Sequence, residues 1–251
     1  MKYAIVSRKD DKSEQLKDLI ISKLPLEYDE ENPNIIISLG GDGTILRAVH
    51  KYIDIIDDIV IFGLNTGKLG FYTDWHEQEI DLMCKKIINK NYDIETHSLL
   101  EWRVNDVKGY AVNELAIINP RATQIVDVFI GDNKLETCRC TGLCVSTTNG
   151  STAFNKSLGG PVIDPTLEAF ILAEIAAINS NAYRSLGSPL VLSDKHILNL
   201  RCHNAYSLTA DQLQYDFPSE SVVTCWISNK KISFAMNKKT LFIERIKKAF
   251  L

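Results

Sequence analysis

The sequence predicts an N-terminal α/β domain with a doubly wound, largely parallel sheet, followed by a β-rich C-terminal domain, so that the chain is α+β overall. Two observations predict this. Before about residue 99, continuous apolar runs alternate with helical patterns, and after it short alternating segments are separated by turn residues. The composition agrees, because 45% hydrophobic and 24% charged residues over 251 positions are typical of globular domains.

The first elements follow from apolar spacing. Residues 2–7 predict a strand, and Ser13 is the expected cap of a helix that ends before Pro25. Residues 35–39 and 59–64 are apolar runs without polar alternation, which is typical of central parallel strands covered on both faces. This alternation of strand and helix predicts the doubly wound sheet.

Three further helices are expected. One follows the glycine-rich segment 40–44, one spans residues 77–89, and one closes the chain at residues 241–250. The middle helix should direct the following side chains inward: Ile80, Met83, Cys84, Ile87 and Ile88.

The second part of the chain is predicted to be mainly β, with a hairpin turn at residues 131–133. Its strand-like runs are residues 101–104, 111–118, 124–130, 135–140, 143–147, 196–202, 207–211, 221–227 and 231–235. Asp164 before Pro165 predicts one helix, running through Ile175.

The predicted domain division follows this change of pattern. Residues 1–99 form an α/β domain, which the returning C-terminal segment 229–251 joins. Residues 100–228 form a β-rich domain.

Charge and composition exclude several classes. With 28 basic and 32 acidic residues the net charge is -4, which argues against a protein that binds nucleic acid. No apolar run reaches the ~18 residues that span a membrane, and the N-terminus lacks a signal-peptide pattern, so we expect the cytoplasm and no membrane partner. The six cysteines are read as reduced thiols rather than as disulfides or, at Cys138, Cys140 and Cys144, a zinc site.

The segment GGDGT at residues 40–44 should lie beyond a parallel strand, where open α/β sheets bind ligands. Its glycines allow a phosphate to approach the main chain, and the following helix N-terminus favours anions. Asp42 does not suit a phosphate site unless it accepts a proton or organises a magnesium ion. A helix cap or turn residue explains Asp42 equally well.

The loop after residue 63 lacks the spacing of a Walker loop, which disfavours a P-loop ATPase. It carries Phe71, Tyr72 and Trp75, which suit either an aromatic wall of the site or, as favoured here, the core between the two domains.

Two polar segments of the second domain are also candidates. Asn113 and Glu114 offer an amide and a carboxylate for ribose hydroxyls or an adenine amino group, although an exposed hairpin face is slightly favoured. Residues 146–157 supply hydroxyl groups that suit sugar or phosphate, or simply a helix-capping turn.

Together these segments resemble the NAD kinase family, particularly its short bacterial form, over nearly the whole chain. GGDGT alone is shared with lipid kinases and identifies only a superfamily, whereas the ordered set is much more specific. The set comprises GGDGT at 40–44, GKLGFY at 67–72, NE at 113–114, GSTAFNKSLGG at 150–160 and YRSLGSPL at 183–190.

The resemblance implies roles for individual residues. Asp42 is the implied general base at the 2'-hydroxyl of the adenosine ribose, and Gly41 and Gly43 approach the phosphates. Asn113 and Glu114 hold the adenosine part, which Phe71 and Tyr72 flank. Further implied dinucleotide contacts are Arg139, Thr141, Thr152, Ala153, Phe154, Asn155, Lys156, Ser157, Ala176 and Gln212.

The chain departs from the family pattern at two of these positions. Thr141 stands where the family usually has an aspartate, and Phe154 replaces a frequent tyrosine. Neither change touches the implied base, so both bear on affinity and ligand selectivity.

The implied reaction is transfer of the ATP γ-phosphate to NAD, giving NADP, with Mg²⁺ or another divalent cation carried by ATP. The resemblance further implies that residues 1–99 with 229–251 are a nucleotide-phosphate domain and that residues 100–228 are a dinucleotide-binding domain. It also implies a homotetramer with sites at subunit contacts. A GGDGT-type lipid kinase and a non-catalytic dinucleotide-binding sensor are the alternatives.

Overall fold

The computed structural model describes residues 1–67, 70–237 and 242–251. The chain divides into two compact units. The first comprises Met1–His97 and Lys230–Leu251, and the second comprises Ser98–Asn229.

The first unit is built on a parallel sheet. Its strands are β1 (Lys2–Ser7), β2 (Glu27–Tyr28), β3 (Ile35–Gly40), β4 (Val60–Asn65) and β5 (Trp75–His76). They lie in the order β2-β1-β3-β4, and β5 pairs with the end of β4, all in parallel. Every residue of β3 is buried, so this strand is covered on both faces, as its continuous apolar run predicts.

Three helices connect or follow these strands: α1 (Asp11–Lys23), α2 (Asp42–Lys51) and α3 (Ile80–Asn89). Helix α1 begins one turn earlier than predicted, because the Asp10 carboxylate accepts the Ser13 amide hydrogen at 2.9 Å and caps the helix. On α3, Ile88 is 42% exposed and does not face inward as predicted.

The second unit is almost entirely β. Its strands, two of which continue into the first unit, are β6 (Asp93–Val104), β7 (Val107–Ala111), β8 (Glu114–Ile118), β9 (Gln124–Ile130), β10 (Asn133–Cys140), β11 (Gly142–Thr147), β12 (Ala169–Ile175), β13 (Leu190–Ser193), β14 (Leu198–Cys202), β15 (Tyr206–Ala210), β16 (Leu213–Phe217) and β17 (Ser221–Met236). A six-stranded antiparallel sheet has the order β13-β12-β11-β8-β15-β16. A second antiparallel group runs β10-β9-β14-β17.

Side chains from both groups of strands form one hydrophobic core. Leu115 and Ile117 of β8 contribute from the six-stranded sheet, and Val126 and Val128 of β9 from the other group. The two-residue spacing is that of strands with one face inward. The fold class predicted from the sequence is therefore confirmed: a parallel α/β unit and a β-rich unit.

The predicted helix after Pro165 is wrong. Residues 165–167 form a turn, with the Asp164 carbonyl accepting the Leu167 amide hydrogen, and β12 follows. Strand β12 lies between β11 and β13 and is buried from Phe170 to Ala173. An apolar run covered on both faces has no period-two signal, so spacing alone does not distinguish it from a buried helix.

The chain returns to the first unit within β17. Ser233 and Phe234 pair in parallel with Val60 and Ile61 of β4. The closing helix after β17 is α5 (Phe242–Phe250), whose predicted first residue, 241, lies outside the described residues. The single helical turn α4 (Phe154–Ser157) lies earlier in the chain, between β11 and β12. No helix among the described residues has the length and apolarity needed to cross a bilayer.

Candidate active site

The GGDGT segment lies at the carboxyl end of β3. The strand ends at Gly40, Gly41 caps the next helix, and Asp42 is the first residue of α2. The amides of this first turn point away from the helix and suit an anion. The local sequence therefore places a carboxylate beside an anion-binding helix terminus.

The Asp42 carboxylate holds a second segment of the first unit. Its two oxygens accept hydrogen bonds from the main-chain amides of Phe71, at 2.8 Å, and Tyr72, at 3.1 Å. The helix has no side-chain cap, so the interpretation of Asp42 as a helix cap is wrong. The side chain instead joins two of the motifs singled out in the sequence.

Burial raises the pKa of Asp42 above its usual value, and this effect outweighs the two amide hydrogen bonds and the Arg245 charge, which lower the pKa. A carboxylate with a raised pKa is a stronger proton acceptor than an ordinary aspartate. This is the property expected of a general base.

The glycines of this region differ in how much free space surrounds their Cα atoms. A Cβ added at Gly41 or Gly43 would meet no described atom within 4 Å outside the local chain. Packing does not require glycine there, and the main chain stays open to a ligand. A Cβ at Gly70, in contrast, would overlap the Asp42 carboxylate, with the Asp42 Cγ only 2.7 Å away.

The aromatic residues of this region have different environments. Trp75 is fully buried in the hydrophobic core of the first unit, and its indole N–H donates to the Ala235 carbonyl at 3.0 Å. Phe71 and Tyr72 are half-buried. Tyr72 stacks on Phe234, with ring centroids 5.2 Å apart, whereas Lys68 and Leu69 lie outside the described residues.

Helix α5 contributes one side chain against Phe71 and one whose charge acts on Asp42. The Phe250 ring lies 5.6 Å from the Phe71 ring, between centroids. The Arg245 guanidinium pairs with Asp74 at 3.3 Å and with Glu95 at 3.5 Å, and its side chain is only 12% exposed. Arg245 is the positive charge that lowers the pKa of Asp42.

In the second unit, Asn113 and Glu114 stand at the start of β8. Hydrogen bonds fix the main chain here: the Thr147 amide donates to the Asn113 carbonyl at 2.9 Å, and the Thr147 hydroxyl donates to the Val112 carbonyl at 2.6 Å. Asn113 and Glu114 are half-buried rather than on an exposed hairpin face, so that interpretation is wrong.

Glu114 has an unusual environment for a carboxyl group. Burial and then the nearby charge of Asp211 raise its pKa to about 7, against a hydrogen bond from the Phe154 amide that lowers it. Its Oε2 is buried and has no hydrogen-bond partner among the described residues. A buried polar atom of this kind is ready for a partner from a ligand.

The loop at residues 152–157 combines buried and exposed positions. Thr152, Ala153 and Phe154 are half-buried, whereas Lys156 and Ser157 are exposed. Asn155 is completely buried, and its amide nitrogen donates to the carbonyls of Ser151 and Pro161. Asn155 therefore fixes the loop from inside.

Thr141 and Ala176 line a groove of about 270 Å³ in the second unit. The Thr141 amide donates to the Ile175 carbonyl at 2.9 Å, and Ala176 adopts a left-handed conformation with φ 49°. The guanidinium of Arg139 lies over the Tyr183 ring, 4.3 Å from its centroid. Gln212 is exposed, directly after Asp211.

The structure thus brings the candidates of the second unit together in two groups. Glu114 is opposite Ser146 at one end of the β8–β11 pair, and Gly142, next to Thr141, is opposite Ile118 at the other. The two groups are four residues apart along β8, which corresponds to about 14 Å.

The six cysteines are all buried free thiols. Cys138, Cys140 and Cys144 do not gather as metal ligands in the described chain. The group that lies close enough to share an ion there is Glu136, Cys138 and Glu174, with ligand atoms within 4.8 Å of one another.

Comparison with known proteins places this geometry in a family. The model of the ATP-NAD kinase N-terminal domain matches residues 4–92, and the model of the C-terminal domain matches residues 112–236. The chain belongs to the NAD kinase family. An NAD kinase of Lysinibacillus sphaericus is 38% identical over 261 residues, covering 100% of this chain and 99% of the relative. NAD kinase 1 of Listeria monocytogenes serovar 1/2a is 37% identical over 262 residues, again covering 100% and 99%.

Solved NAD kinase structures have the same fold. The NAD kinase of Archaeoglobus fulgidus in complex with ATP matches with a TM-score of 0.82 and 28% identity, covering 99% of each chain. Yeast NADH kinase complexed with NADH matches with a TM-score of 0.84 over 98% of this chain and 86% of that one. At 19% identity, the yeast enzyme shows the fold alone.

Sequence patterns did not indicate two residues near the candidate site of this NAD kinase family member, Asp211 and Arg245. Asp211 follows the alternating strand β15, and an aspartate in such a turn gives no signal beyond the turn itself. Arg245 is one of several basic residues of α5, and only the structure distinguishes it by its burial.

Proposed function

We propose that this chain transfers the γ-phosphoryl group of ATP to the 2'-hydroxyl of the adenosine ribose of NAD, giving NADP and ADP. The observation that carries the proposal is the Asp42 carboxylate: it begins α2 beside the open Gly41 and Gly43, and burial raises its pKa. The family membership of the whole chain supports the same reaction.

The proposed chemistry needs one proton transfer. Asp42 accepts the proton of the 2'-hydroxyl while that oxygen bonds to the γ-phosphorus and the bond to the β-bridging oxygen breaks. The amides of Phe71 and Tyr72 hold the carboxylate in one orientation. The open main chain at Gly41 and Gly43 leaves room for phosphate oxygens.

Asn113 and Glu114 are the proposed contacts of the adenosine part of NAD. The buried Oε2 of Glu114, without a partner in the described chain, supports this assignment. Phe71 and Tyr72 flank the same part, and the loop of residues 152–157 with Gln212 supplies further contacts.

Mg²⁺, or another divalent cation, belongs to the proposal as part of the ATP substrate. The cation neutralises phosphate charge during the transfer. Omitting it, or adding a chelator, should abolish turnover.

A homotetramer in the cytoplasm completes the proposal. The groove at Thr141 and Ala176 lies about 14 Å along the strands from Glu114, which suits contacts of Arg139, Thr141 and Ala176 with NAD bound by a second copy. The six thiols suit a reducing compartment. Analytical ultracentrifugation should show a single tetrameric species. A monomer at micromolar concentration would contradict the shared site.

The test of the function is a coupled assay of the purified chain with ATP, Mg²⁺ and NAD, reading NADP through an NADP-specific dehydrogenase. We expect the NADPH made by the coupling dehydrogenase to accumulate in step with ADP. A lipid kinase would phosphorylate diacylglycerol in vesicles and leave NAD unchanged, and a sensor would bind NAD in calorimetry without forming ADP. Either result would overturn the proposal.

A further inference from the structure

Asp211 occupies the turn between β15 and β16. Its main chain is left-handed, with φ 51°, and its amide donates to the Glu114 carbonyl at 3.0 Å. The left-handed region is uncommon for residues other than glycine, although aspartate and asparagine tolerate it. The strained conformation directs this one side chain toward the start of β8.

The Asp211 carboxylate accepts three consecutive main-chain amides. They are those of Val112 and Asn113, both at 2.8 Å, and of Glu114, at 3.3 Å. Hydrogen bonds to a charged acceptor are about twice as strong as neutral ones. Asn113 and Glu114, whose side chains are proposed to contact adenosine, therefore have their main chain fixed by a single carboxylate.

The same carboxylate acts on Glu114 electrostatically. Burial raises the pKa of Glu114 to about 7, and the negative charge of Asp211 is the second cause. A further titratable group near Glu114 is the Cys144 thiol of β11, which burial keeps protonated by raising its pKa to about 12. Asp211 is thus the charged neighbour that adds to the effect of burial on the pKa of Glu114.

We propose that Asp211 is a positioning residue: its carboxylate fixes the main chain of Asn113 and Glu114, and its negative charge disfavours a second negative charge on the Glu114 carboxyl group beside it. This inference rests on the proposed function. A protonated Glu114 offers one O–H donor and retains acceptors, so it suits a ribose hydroxyl and does not repel the pyrophosphate. An ionised Glu114 would offer acceptors only.

The decisive variant is Asp211→Asn. Asparagine tolerates the left-handed conformation and keeps one acceptor oxygen, but it removes the charge and presents an N–H₂ group to one amide. We expect NAD to bind about tenfold more weakly by calorimetry, because charged hydrogen bonds are lost. We also expect the pH midpoint of NAD affinity to move down, since removing Asp211 lowers the pKa of Glu114. Glu114→Gln should abolish that midpoint.

Asp216→Asn is the matched control. Asp216 lies on β16 of the same sheet and accepts the Ser207 hydroxyl at 2.5 Å. Its loss of charge should leave both the NAD affinity and its pH midpoint unchanged. An unchanged midpoint in Asp211→Asn, or an equal shift in the control, would overturn the positioning role.

Carbon-13 NMR of the unliganded wild-type chain measures the Glu114 titration directly. The result depends neither on turnover nor on the folding of any Asp211 variant. The Glu114 carboxyl signal, assigned by its loss in Glu114→Gln, should titrate near neutral pH. Titration at the ordinary glutamate value would overturn the inference. If the chain forms no NADP while Glu114 titrates near pH 7, the proposed function fails and the electrostatic part of this inference stands.

Discussion

The main-chain amide of Phe71 donates a 2.8 Å hydrogen bond to the carboxylate of Asp42, 29 residues earlier in the chain. The Tyr72 amide occupies the other oxygen. A turn residue would use its carboxylate within its own loop, but Asp42 uses it to join the GGDGT helix to the segment that follows Gly70. Its predicted roles can therefore be separated by experiment.

Asp42→Asn should lower kcat by about 10²–10⁴-fold, because it removes proton acceptance and preserves shape. Asparagine keeps one oxygen for the Phe71 or Tyr72 amide, so the melting temperature should fall only slightly. Steady-state kinetics and a thermal melt measure both effects.

Asp10→Asn is the control for this change. Asp10 caps α1, where asparagine caps about as well as aspartate. Its kinetics and melting temperature should match the wild type. Near-normal kcat in Asp42→Asn would rule out the base, and a large drop in melting temperature would favour a purely structural Asp42.

The pH dependence of kcat should report the Asp42 proton. Protonated Asp42 cannot accept another proton, so activity should fall as the pH is lowered, with a midpoint above the usual aspartate pKa because burial raises it. In Arg245→Gln the loss of positive charge raises the pKa of Asp42 further, and the acid limb moves to higher pH.

Lys247→Gln is the matched control on the same helix. Lys247 is exposed and pairs with Glu244 at 3.4 Å. Its acid limb should coincide with that of the wild type. A shift of the same size in both variants would show that net charge, rather than the Arg245 position, sets the midpoint.

Gly70→Ala should displace the Asp42 carboxylate, since the added Cβ would overlap it. We expect kcat to fall more than tenfold while KM for ATP changes less, because Gly41 and Gly43 are untouched. Gly67→Ala, whose Cβ would meet no described atom within 4 Å outside the adjacent chain, should lose far less activity. Equal losses in the two variants would contradict this account.

Thr141→Asp should supply the negative charge that the family resemblance implies at this position. Charged hydrogen bonds contribute about 1.5–3 kcal/mol, so NAD should bind about tenfold more tightly. Asn133→Asp, at the exposed tip of the β9–β10 hairpin, adds the same charge elsewhere. Calorimetry that finds unchanged or weaker NAD binding in Thr141→Asp would remove Thr141 from the site.

The parallel sheet was predictable because its signals are local. Continuous apolar runs such as β3 indicate burial on both faces, and the glycines after β3 mark the strand end. The same reasoning failed at β12, where residues 169–175 show no period that separates strand from helix. The partners β11 and β13 decide the conformation of β12, and pairing with distant strands is not visible in the segment itself.

The candidate site was predictable only in part, for a related reason. Motif resemblance found Asp42 and Glu114, whose residue types carry the chemistry. It did not find Asp211, because its role depends on a left-handed turn that places one carboxylate against three amides 97 to 99 residues earlier. Residues that act through other residues have no signature of their own in a single sequence.

The first unit takes its final strand residues and α5 from the end of the chain. Ribosomes release a polypeptide from its N-terminus onward, and domains generally fold as units during synthesis. The GGDGT helix is thus synthesised early, whereas Arg245, whose charge acts on Asp42, follows only after the whole second unit. We therefore expect truncated chains that end before residue 230 to have no kinase activity. Incomplete synthesis should then yield inactive fragments rather than a partly active enzyme.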